Sequence, residues 1–238
     1  GLITETNQEH IFTILKDIPR YAKDDTWQAY HSLITLLKTG ILTETNYKKI
    51  LEDFSVILKE IPQYARIYTS NAYYSLTILL KTGLLTETNY KKILEDFSAI
   101  LKEIHQYAGR YTSNAYDSLT DLLKTGLITE TNQEHIFSIL KEIPKHAGEH
   151  IPACFDSLKG LLQALKQKNI TLNEIDVNTI LYMIQTQGKG EAVAKTLDSI
   201  KDFVLNAVKD PIPGEAPDTS SGLSALLSPT RVPDLQES

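Results

Sequence analysis

Two consecutive stretches of the chain decide its fold. They read GILTETNYKKILEDFSVILKEIPQYARIYTSNAYYSLTILLKT, residues 40–82, and GLLTETNYKKILEDFSAILKEIHQYAGRYTSNAYDSLTDLLKT, residues 83–125. Both stretches are 43 residues long, and they differ at only seven positions. Chance does not produce such similarity, so the chain contains tandem duplications. A repeat architecture therefore has to be considered before any other fold.

The same pattern continues on both sides of these two stretches. Residues 1–39 form a copy that is four residues shorter, and residues 126–165 form another with the same shorter spacing. The phrase Thr-Glu-Thr-Asn occurs once in each copy, at Thr4–Asn7, Thr43–Asn46, Thr86–Asn89 and Thr129–Asn132. We number these units copies 1 to 4 in chain order.

Each copy is predicted to form two helices. The apolar residues in the first half of copy 2 follow the i, i+1, i+4, i+7, i+8, i+11 spacing of one helical face, and they are Ile50, Leu51, Phe54, Ile57, Leu58 and Ile61. The second half carries a comparable stripe formed by Ala72, Tyr73, Leu76, Leu79 and Leu80. Four residues are about one helical turn, so the shorter copies keep the same apolar face in register.

The residues between the stripes predict where the first helix begins. A threonine of the recurring phrase, Thr43 or Thr45 in copy 2, is expected to cap the helix by accepting a bond from a free backbone N–H. The segments Thr6–Glu9 and Thr131–Glu134 also fit the capping-box pattern.

Two other residue types predict where the helices end. The first helix of copy 2 is expected to stop around Ile61, because Pro62 disfavours helical geometry in the residue before it. The second helix is expected to end at Gly83, since glycine is the usual left-handed residue just past a helix.

A single hairpin cannot bury its own apolar stripe, whereas stacked hairpins can. The chain is therefore predicted to be an all-α protein, an α-solenoid of tandem two-helix repeats with a period of 39–43 residues. The period and the two-helix unit resemble the HEAT and armadillo class of solenoids, and the resemblance covers about 165 residues. It implies a non-catalytic scaffold that binds other macromolecules.

After copy 4 the pattern changes. Residues 173–187 and 191–209 are predicted to form two more helices, within a divergent C-terminal cap that spans residues 166–209. A cap needs an outer face that water can wet, which explains the divergence. Residues 1–209 thus form one predicted helical domain. Residues 210–238 hold five of the nine prolines and are predicted to be a flexible acidic tail.

Composition limits the classes of function. No apolar run approaches the roughly 18 residues that a membrane-spanning helix needs, so we expect a soluble chain without membrane insertion. The single cysteine, Cys154, excludes an intramolecular disulfide and favours the cytoplasm or another reducing intracellular compartment. The net charge is -6, of which the tail carries -4, so the helical body is nearly neutral and a poor match for nucleic-acid phosphates.

Candidate catalytic and metal-binding residues have simpler structural explanations. Cys154 aligns with Ala29, Ala72 and Ala115 on the packed stripe, where a thiol acts as a small apolar group. His146 and His150 have the i, i+4 spacing of metal ligands on a helix, but Gly148 and Pro152 argue against a continuous helix there. We therefore expect no catalytic residue, no metal site and no cofactor.

The twelve tyrosines could indicate base stacking on single-stranded nucleic acid. Most of them recur at fixed positions of the repeat, however. Tyr30, Tyr73 and Tyr116, with Phe155 in copy 4, fall on the apolar stripe of the second helix and are predicted to be core residues.

The positions that vary within the constant framework are the best candidates for binding. They lie four residues apart on the second helix and in the pair of residues just before it. We call this surface the variable ridge. Its candidate binding residues are His31, Thr35, Arg66, Ile67, Tyr74, Ile78, Arg110, Asp117, Asp121 and Asp156.

Three classes of function are consistent with these observations. A scaffold that binds a protein along the variable ridge is favoured, because Tyr74 and Ile78 would form an exposed apolar pair. An RNA-binding protein is the alternative, since the repeats also resemble those of octotricopeptide proteins, but no Arg or Lys recurs along the ridge. The third is an enzyme with an unrecognised site. Neutral drift at exposed positions would also explain the variation.

Overall fold

The computed structural model describes residues 3–186 and 189–207, and about 81% of these residues are helical. The described residues contain no β-strand. They form ten α-helices, which are α1 Gln8–Ala22, α2 Thr26–Lys38, α3 Tyr47–Ala65, α4 Thr69–Lys81, α5 Tyr90–Tyr107, α6 Thr112–Lys124, α7 Gln133–Ala147, α8 Ile151–Gln167, α9 Glu174–Thr186 and α10 Glu191–Ala207.

The helices pack in two layers that follow the order of the repeats. The odd-numbered helices contact one another in sequence from α1 to α9, and the even-numbered helices do the same from α2 to α10. The core lies between the layers, where the largest fully buried side chains are Tyr73, Tyr116, Phe54, Phe97, Phe137 and Phe155. This arrangement confirms the predicted all-α, solenoid-like fold. Helices α9 and α10 lie where the sequence predicts the last two helices, and the predicted tail lies outside the described residues.

The recurring aromatic of the second helix joins the two layers. The Tyr73 hydroxyl donates a hydrogen bond to the Leu58 carbonyl at 2.7 Å, and the Tyr116 hydroxyl donates to the Leu101 carbonyl at 3.0 Å. Both tyrosines are buried, as is Phe155, so their predicted role as core residues is confirmed. Tyr30 is only half-buried, and its hydroxyl donates to the Leu15 carbonyl at 3.1 Å.

The predicted end of the first helix at Ile61 is wrong. Helix α3 continues to Ala65 and contains Pro62 in its interior. Proline has no N–H, so it cannot donate to the carbonyl four residues earlier, which belongs to Leu58. That carbonyl accepts the Tyr73 hydroxyl instead. Helix α7 also continues through a proline, Pro144, although Phe155 offers no hydroxyl there. Burial of the apolar residues beside the proline, Ile61 and Ala65 in α3, therefore accounts for the continuous helix, and the tyrosine hydroxyl satisfies the carbonyl.

The predicted helix N-caps are also wrong. The cap residue is the asparagine of each phrase, such as Asn46, and no side chain bonds to a free N–H of the helix there. The Asn46 side chain points back instead: its Oδ1 accepts the Thr43 N–H at 2.8 Å and its Nδ2 donates to the Ile41 carbonyl at 2.9 Å. The hydroxyls of Thr43 and Thr45 lie 3.0 Å apart and bond to each other. The phrase therefore closes a tight turn.

The same geometry rules out the two predicted capping boxes. Asn7 and Asn132 are the cap residues of α1 and α7, and neither helix has a side-chain cap bond. The hydroxyl of Thr6 pairs with that of Thr4, at 3.2 Å. The glycine prediction is correct: Gly83 directly follows the end of α4 and its cap, with φ of 76°.

Candidate functional site

The variable ridge runs along one edge of the even-numbered layer. A short 3₁₀ turn connects the two helices of each copy, at Lys23–Asp25, Arg66–Tyr68, Gly109–Tyr111 and Gly148–His150. Arg66, Ile67 and Arg110 lie in these turns, and the remaining ridge residues lie on α2, α4, α6 and α8. Because the even helices pack side by side, equivalent ridge positions of successive copies form a row.

Two of the ridge residues are buried, which corrects the expectation of an exposed pair. Ile78 is only 9% exposed, and Thr35, its counterpart in copy 1, is also buried. Ser75 Oγ lies 2.8 Å from Thr120 Oγ1 of α6, so this side of α4 packs against α6. Ile78 follows Ser75 by about one turn and faces the same interhelical contact. It therefore contributes to stacking rather than to a free surface.

The other ridge residues remain accessible. Ile67 is 85% exposed, which is a high value for a branched aliphatic side chain, and Tyr74 is also exposed. His31 is half-buried, and the exposed charged residues of the ridge are Arg66, Arg110, Asp117, Asp121 and Asp156. The surface thus combines two apolar side chains of copy 2 with acidic groups of copies 3 and 4.

Lys124 connects copies 2 and 3 on this surface, and the sequence patterns did not single it out. Its Nζ lies 5.4 Å from the centre of the Tyr74 ring and 3.2 Å from Asp121 Oδ1. The hydrogen bond that Lys124 donates to Asp121 raises the pKa of Lys124, and Tyr74 acts in the same direction. One turn earlier, Asp117 Oδ1 accepts from Asn71 Nδ2 at 3.3 Å. The ammonium group of Lys124 in copy 3 therefore lies against the exposed ring of Tyr74 in copy 2.

Part of the variation in the 3₁₀ turns has a backbone cause. The first residue of each turn has a positive φ: 49° at Lys23, 51° at Arg66, 54° at Gly109 and 56° at Gly148. Glycine adopts such angles at no steric cost, whereas a side chain at this position is strained. The change from arginine to glycine between copies 2 and 3 therefore alters local strain as well as side-chain chemistry.

A shallow groove of about 410 Å³ adjoins the ridge between copies 1 and 2. His31 and Thr35 line it on one side, and Leu80 and Lys81 line it on the other. The groove is open to solvent, and the only charged side chains that line it are lysines. It can therefore accommodate a partner side chain at the surface but does not form an enclosed cavity.

Cys154 is completely buried, like the alanines Ala29, Ala72 and Ala115 with which it aligns. Burial raises the pKa of its thiol to about 12, and the nearby Asp198 carboxylate acts in the same direction. The thiol therefore stays protonated at neutral pH, which is the opposite of the electropositive, exposed setting of a reactive cysteine.

His146 and His150 do not share a helix. Helix α7 ends at Ala147, and His150 lies at the end of the following 3₁₀ turn. His146 Nε2 lies 3.0 Å from Glu142 Oε1, an intrahelical contact one turn away. Among the residues that the structure describes, no group of three or more His, Cys, Asp or Glu side chains is placed to hold a metal ion.

Two further findings concern the chain as a whole. None of the described helices is long and apolar enough to cross a membrane. Comparison of the chain with protein-family models, with curated proteins and with solved structures finds no match.

Proposed function

We propose that this protein is a non-catalytic helical-repeat scaffold of the HEAT/armadillo type that binds another protein along the exposed part of the variable ridge. Ile67 and Tyr74 are the apolar centre of the contact. Lys124, Asp117 and Asp121 form its polar border. Interfaces commonly have this composition, with aromatic or aliphatic anchors inside a charged rim.

The contrast between copies 2 and 3 carries the proposal. The two copies share their buried framework and differ at seven positions, four of which lie in the 3₁₀ turn and the second helix. Three of these four positions are exposed in both copies. Copy 2 has Arg66, Ile67 and Tyr74 there, and copy 3 has glycine, arginine and aspartate, respectively. A repeat protein that presents different side chains on a constant framework builds its binding surface in this way.

The chemistry of the ridge favours a protein partner over RNA. A helical repeat that reads RNA needs contacts to bases and positive charge that repeats from unit to unit. A lysine does recur at the end of the second helix in copies 1 to 3, as Lys38, Lys81 and Lys124. In copies 3 and 4, however, the ridge carries Asp117, Asp121 and Asp156, and Asp121 pairs with Lys124. A branched aliphatic side chain as exposed as Ile67 gains stability only when another apolar surface covers it.

The test replaces the apolar centre with the residues that copy 3 already uses. The double variant Ile67→Arg, Tyr74→Asp should unfold within about 1 kcal/mol of the wild type, because both positions are exposed. Affinity capture from the source cell, compared quantitatively between the two proteins, should reveal partners that the variant loses. Direct titration of such a partner should show affinity lower by about 30-fold or more, as hot-spot residues typically do.

A matched control lies on the opposite layer of the same copy. Val56 is exposed on α3, and copy 3 has alanine at that position. The variant Val56→Ala should bind the partner like the wild type. Equal capture by all three proteins would contradict the proposal, and RNA binding that weakens with salt and with the double variant would favour the nucleic-acid alternative.

A further inference from the structure

The two shorter copies begin with nearly the same sequence but stand in different surroundings. Residues 1–22 and 126–147 differ at only four positions. In copy 4, helix α7 packs against α5 of the preceding copy, and Phe137 is 1% exposed. Its counterpart in copy 1, Phe12, is 56% exposed. Helix α1 thus carries the apolar face with which α7 binds its neighbour, and no helix among the described residues covers it.

In copies 2 and 3 the second helix turns hydroxyl groups toward the preceding copy. Ser70 Oγ accepts a hydrogen bond from Gln28 Nε2 of α2 at 3.0 Å. Thr77 Oγ1 lies 2.9 Å from Ser32 Oγ of the same helix. These two positions therefore identify which side of a second helix faces the unit before it.

Copy 1 has large apolar residues at these two positions. Trp27 aligns with Ser70 and is 71% exposed, and Ile34 aligns with Thr77 and is also exposed. The other two copies have Ser113, Thr120, Pro152 and Lys159 there. We call the surface formed by Phe12, Trp27 and Ile34 the end face. At the two second-helix positions it is more apolar than the equivalent surfaces of copies 2 to 4.

Charged residues border this end face in a specific order. In copy 4, Glu134 and Lys141 project from α7 and form ion pairs with a lysine and an aspartate of α5, at 2.5 and 2.7 Å. Their counterparts on α1 are Glu9 and Lys16, which are both exposed. Neither makes an ion pair with another residue in the described part of the chain. One acidic and one basic group therefore lie seven residues, or about two turns, apart on either side of Phe12.

We propose that this end face binds the same face of a second copy of the chain, with the two α1 helices antiparallel across a two-fold axis. A two-fold interface must be complementary to itself. The order Glu9, Phe12, Lys16 meets this requirement, because reversal of the helix brings each Glu9 opposite the partner's Lys16. The two Phe12 rings then lie near the axis, and Trp27 and Ile34 extend the apolar contact into the second layer.

The charge order of the face favours a second copy, and its area favours a weak dimer. Phe12, Trp27 and Ile34 expose about 400 Å² of mainly apolar surface, roughly half of what each side of a standard interface buries. Interfaces at this low end of the size range are typical of weak, transient association.

The experiment measures self-association of the full chain by sedimentation velocity and equilibrium across a micromolar concentration range. The wild type should show a monomer–dimer equilibrium. The variant Trp27→Ser, Ile34→Thr carries the residues of copy 2 and should raise the dimer Kd by about 30-fold or more. The control Tyr182→Ser removes another exposed aromatic, from α9 near the opposite end of the stack, and should leave the Kd unchanged.

A charge exchange tests the antiparallel arrangement separately, in a variant that keeps every apolar residue. Glu9→Lys should weaken the dimer several-fold, because it places two lysines opposite each other, and adding Lys16→Glu should restore the wild-type Kd. A chain that stays monomeric at all concentrations, or that assembles beyond the dimer, overturns the proposal. The proposal is also overturned if Tyr182→Ser disrupts the dimer while Trp27→Ser, Ile34→Thr leaves it intact. A charge exchange that fails to restore the wild-type Kd has the same consequence.

Discussion

Replacement of Tyr73 by phenylalanine should destabilise the protein, because it removes the hydrogen bond to one buried carbonyl group. The Tyr73 hydroxyl donates to the carbonyl of Leu58 at 2.7 Å, and both residues are fully buried. Pro62 lies four residues after Leu58 and has no N–H to offer that carbonyl. Phenylalanine fits the space, because Phe155 occupies the equivalent position in copy 4 with complete burial. The substitution therefore removes a hydrogen bond without a steric change.

The expected cost follows from what the carbonyl loses. A buried acceptor left without any donor costs about 1–3 kcal/mol, so Tyr73→Phe should lower the free energy of unfolding by that amount. Copy 3 supplies the matched control. Its Tyr116 bonds to Leu101 in the same way, but His105 replaces the proline and keeps its N–H for the helix. Tyr116→Phe should therefore cost only about 0.5–1.5 kcal/mol, the net value of one hydrogen bond.

Urea unfolding followed by far-ultraviolet circular dichroism would measure both costs, with equal m-values as the check that the unfolding transition is unchanged. The same comparison in a Pro62→His background forms a double-mutant cycle. There, the cost of Tyr73→Phe should fall to that of Tyr116→Phe. The reasoning is refuted if Tyr73→Phe and Tyr116→Phe lower the free energy of unfolding equally in the wild-type background. It is also refuted if Pro62→His leaves the cost of Tyr73→Phe unchanged, because the hydroxyl then does not substitute for the missing N–H.

Three further predictions concern the ridge and the cysteine. Both position 66 and position 109 require a positive φ, which strains any side chain but not glycine. Arg66→Gly should therefore stabilise the protein, and Gly109→Arg should destabilise it, each by about 1–3 kcal/mol. Thermal unfolding that shows Arg66→Gly to be destabilising or Gly109→Arg to be stabilising would contradict this. Ile78→Asp should cost at least about 2 kcal/mol, because the side chain is buried between α4 and α6, whereas Asp121→Ile at the exposed equivalent should change stability by less than about 1 kcal/mol. Cys154→Ala should leave binding unchanged and cost little. In the wild type, burial raises the pKa of this thiol to about 12, so its contribution to stability is complete below about pH 8.5 and is lost as the pH rises toward 12. Alkylation of the native protein at pH 8 should accordingly be far slower than in denaturant.

Local patterns were sufficient to predict the architecture. The spacing of apolar residues defines the two helices of each copy, and the glycines after the second helices set their ends, because both signals depend on a few neighbouring residues. The internal alignment likewise predicted that Cys154 and the recurring tyrosines face the core. Several ridge residues could be located in the same way, since an exposed position tolerates change that a buried one does not.

Contacts between helices decided the rest. Pro62 predicts a helix end, but the burial of Ile61 and Ala65 against other helices keeps α3 continuous, and the Tyr73 hydroxyl from α4 satisfies the carbonyl that the proline leaves free. The i, i+4 spacing places Ile78 beside Tyr74 on one face, yet α6 covers only Ile78. Lys124 recurs in the sequence as Lys38 and Lys81, but only the packing of α6 beside α4 places it against the Tyr74 ring.

The comparison of copies 1 and 4 shows most clearly what the sequence determines and what only the tertiary structure decides. Phe12 and Phe137 stand in nearly identical sequences, and each lies on the apolar stripe of a first helix. The sequence therefore determines that both residues form the apolar face of a helix. Whether that face is buried depends on a neighbour, and α7 has α5 beside it where α1 has no described helix on the corresponding side. Burial is a property of the packed surroundings, so only the tertiary structure distinguishes the core residue from the exposed one.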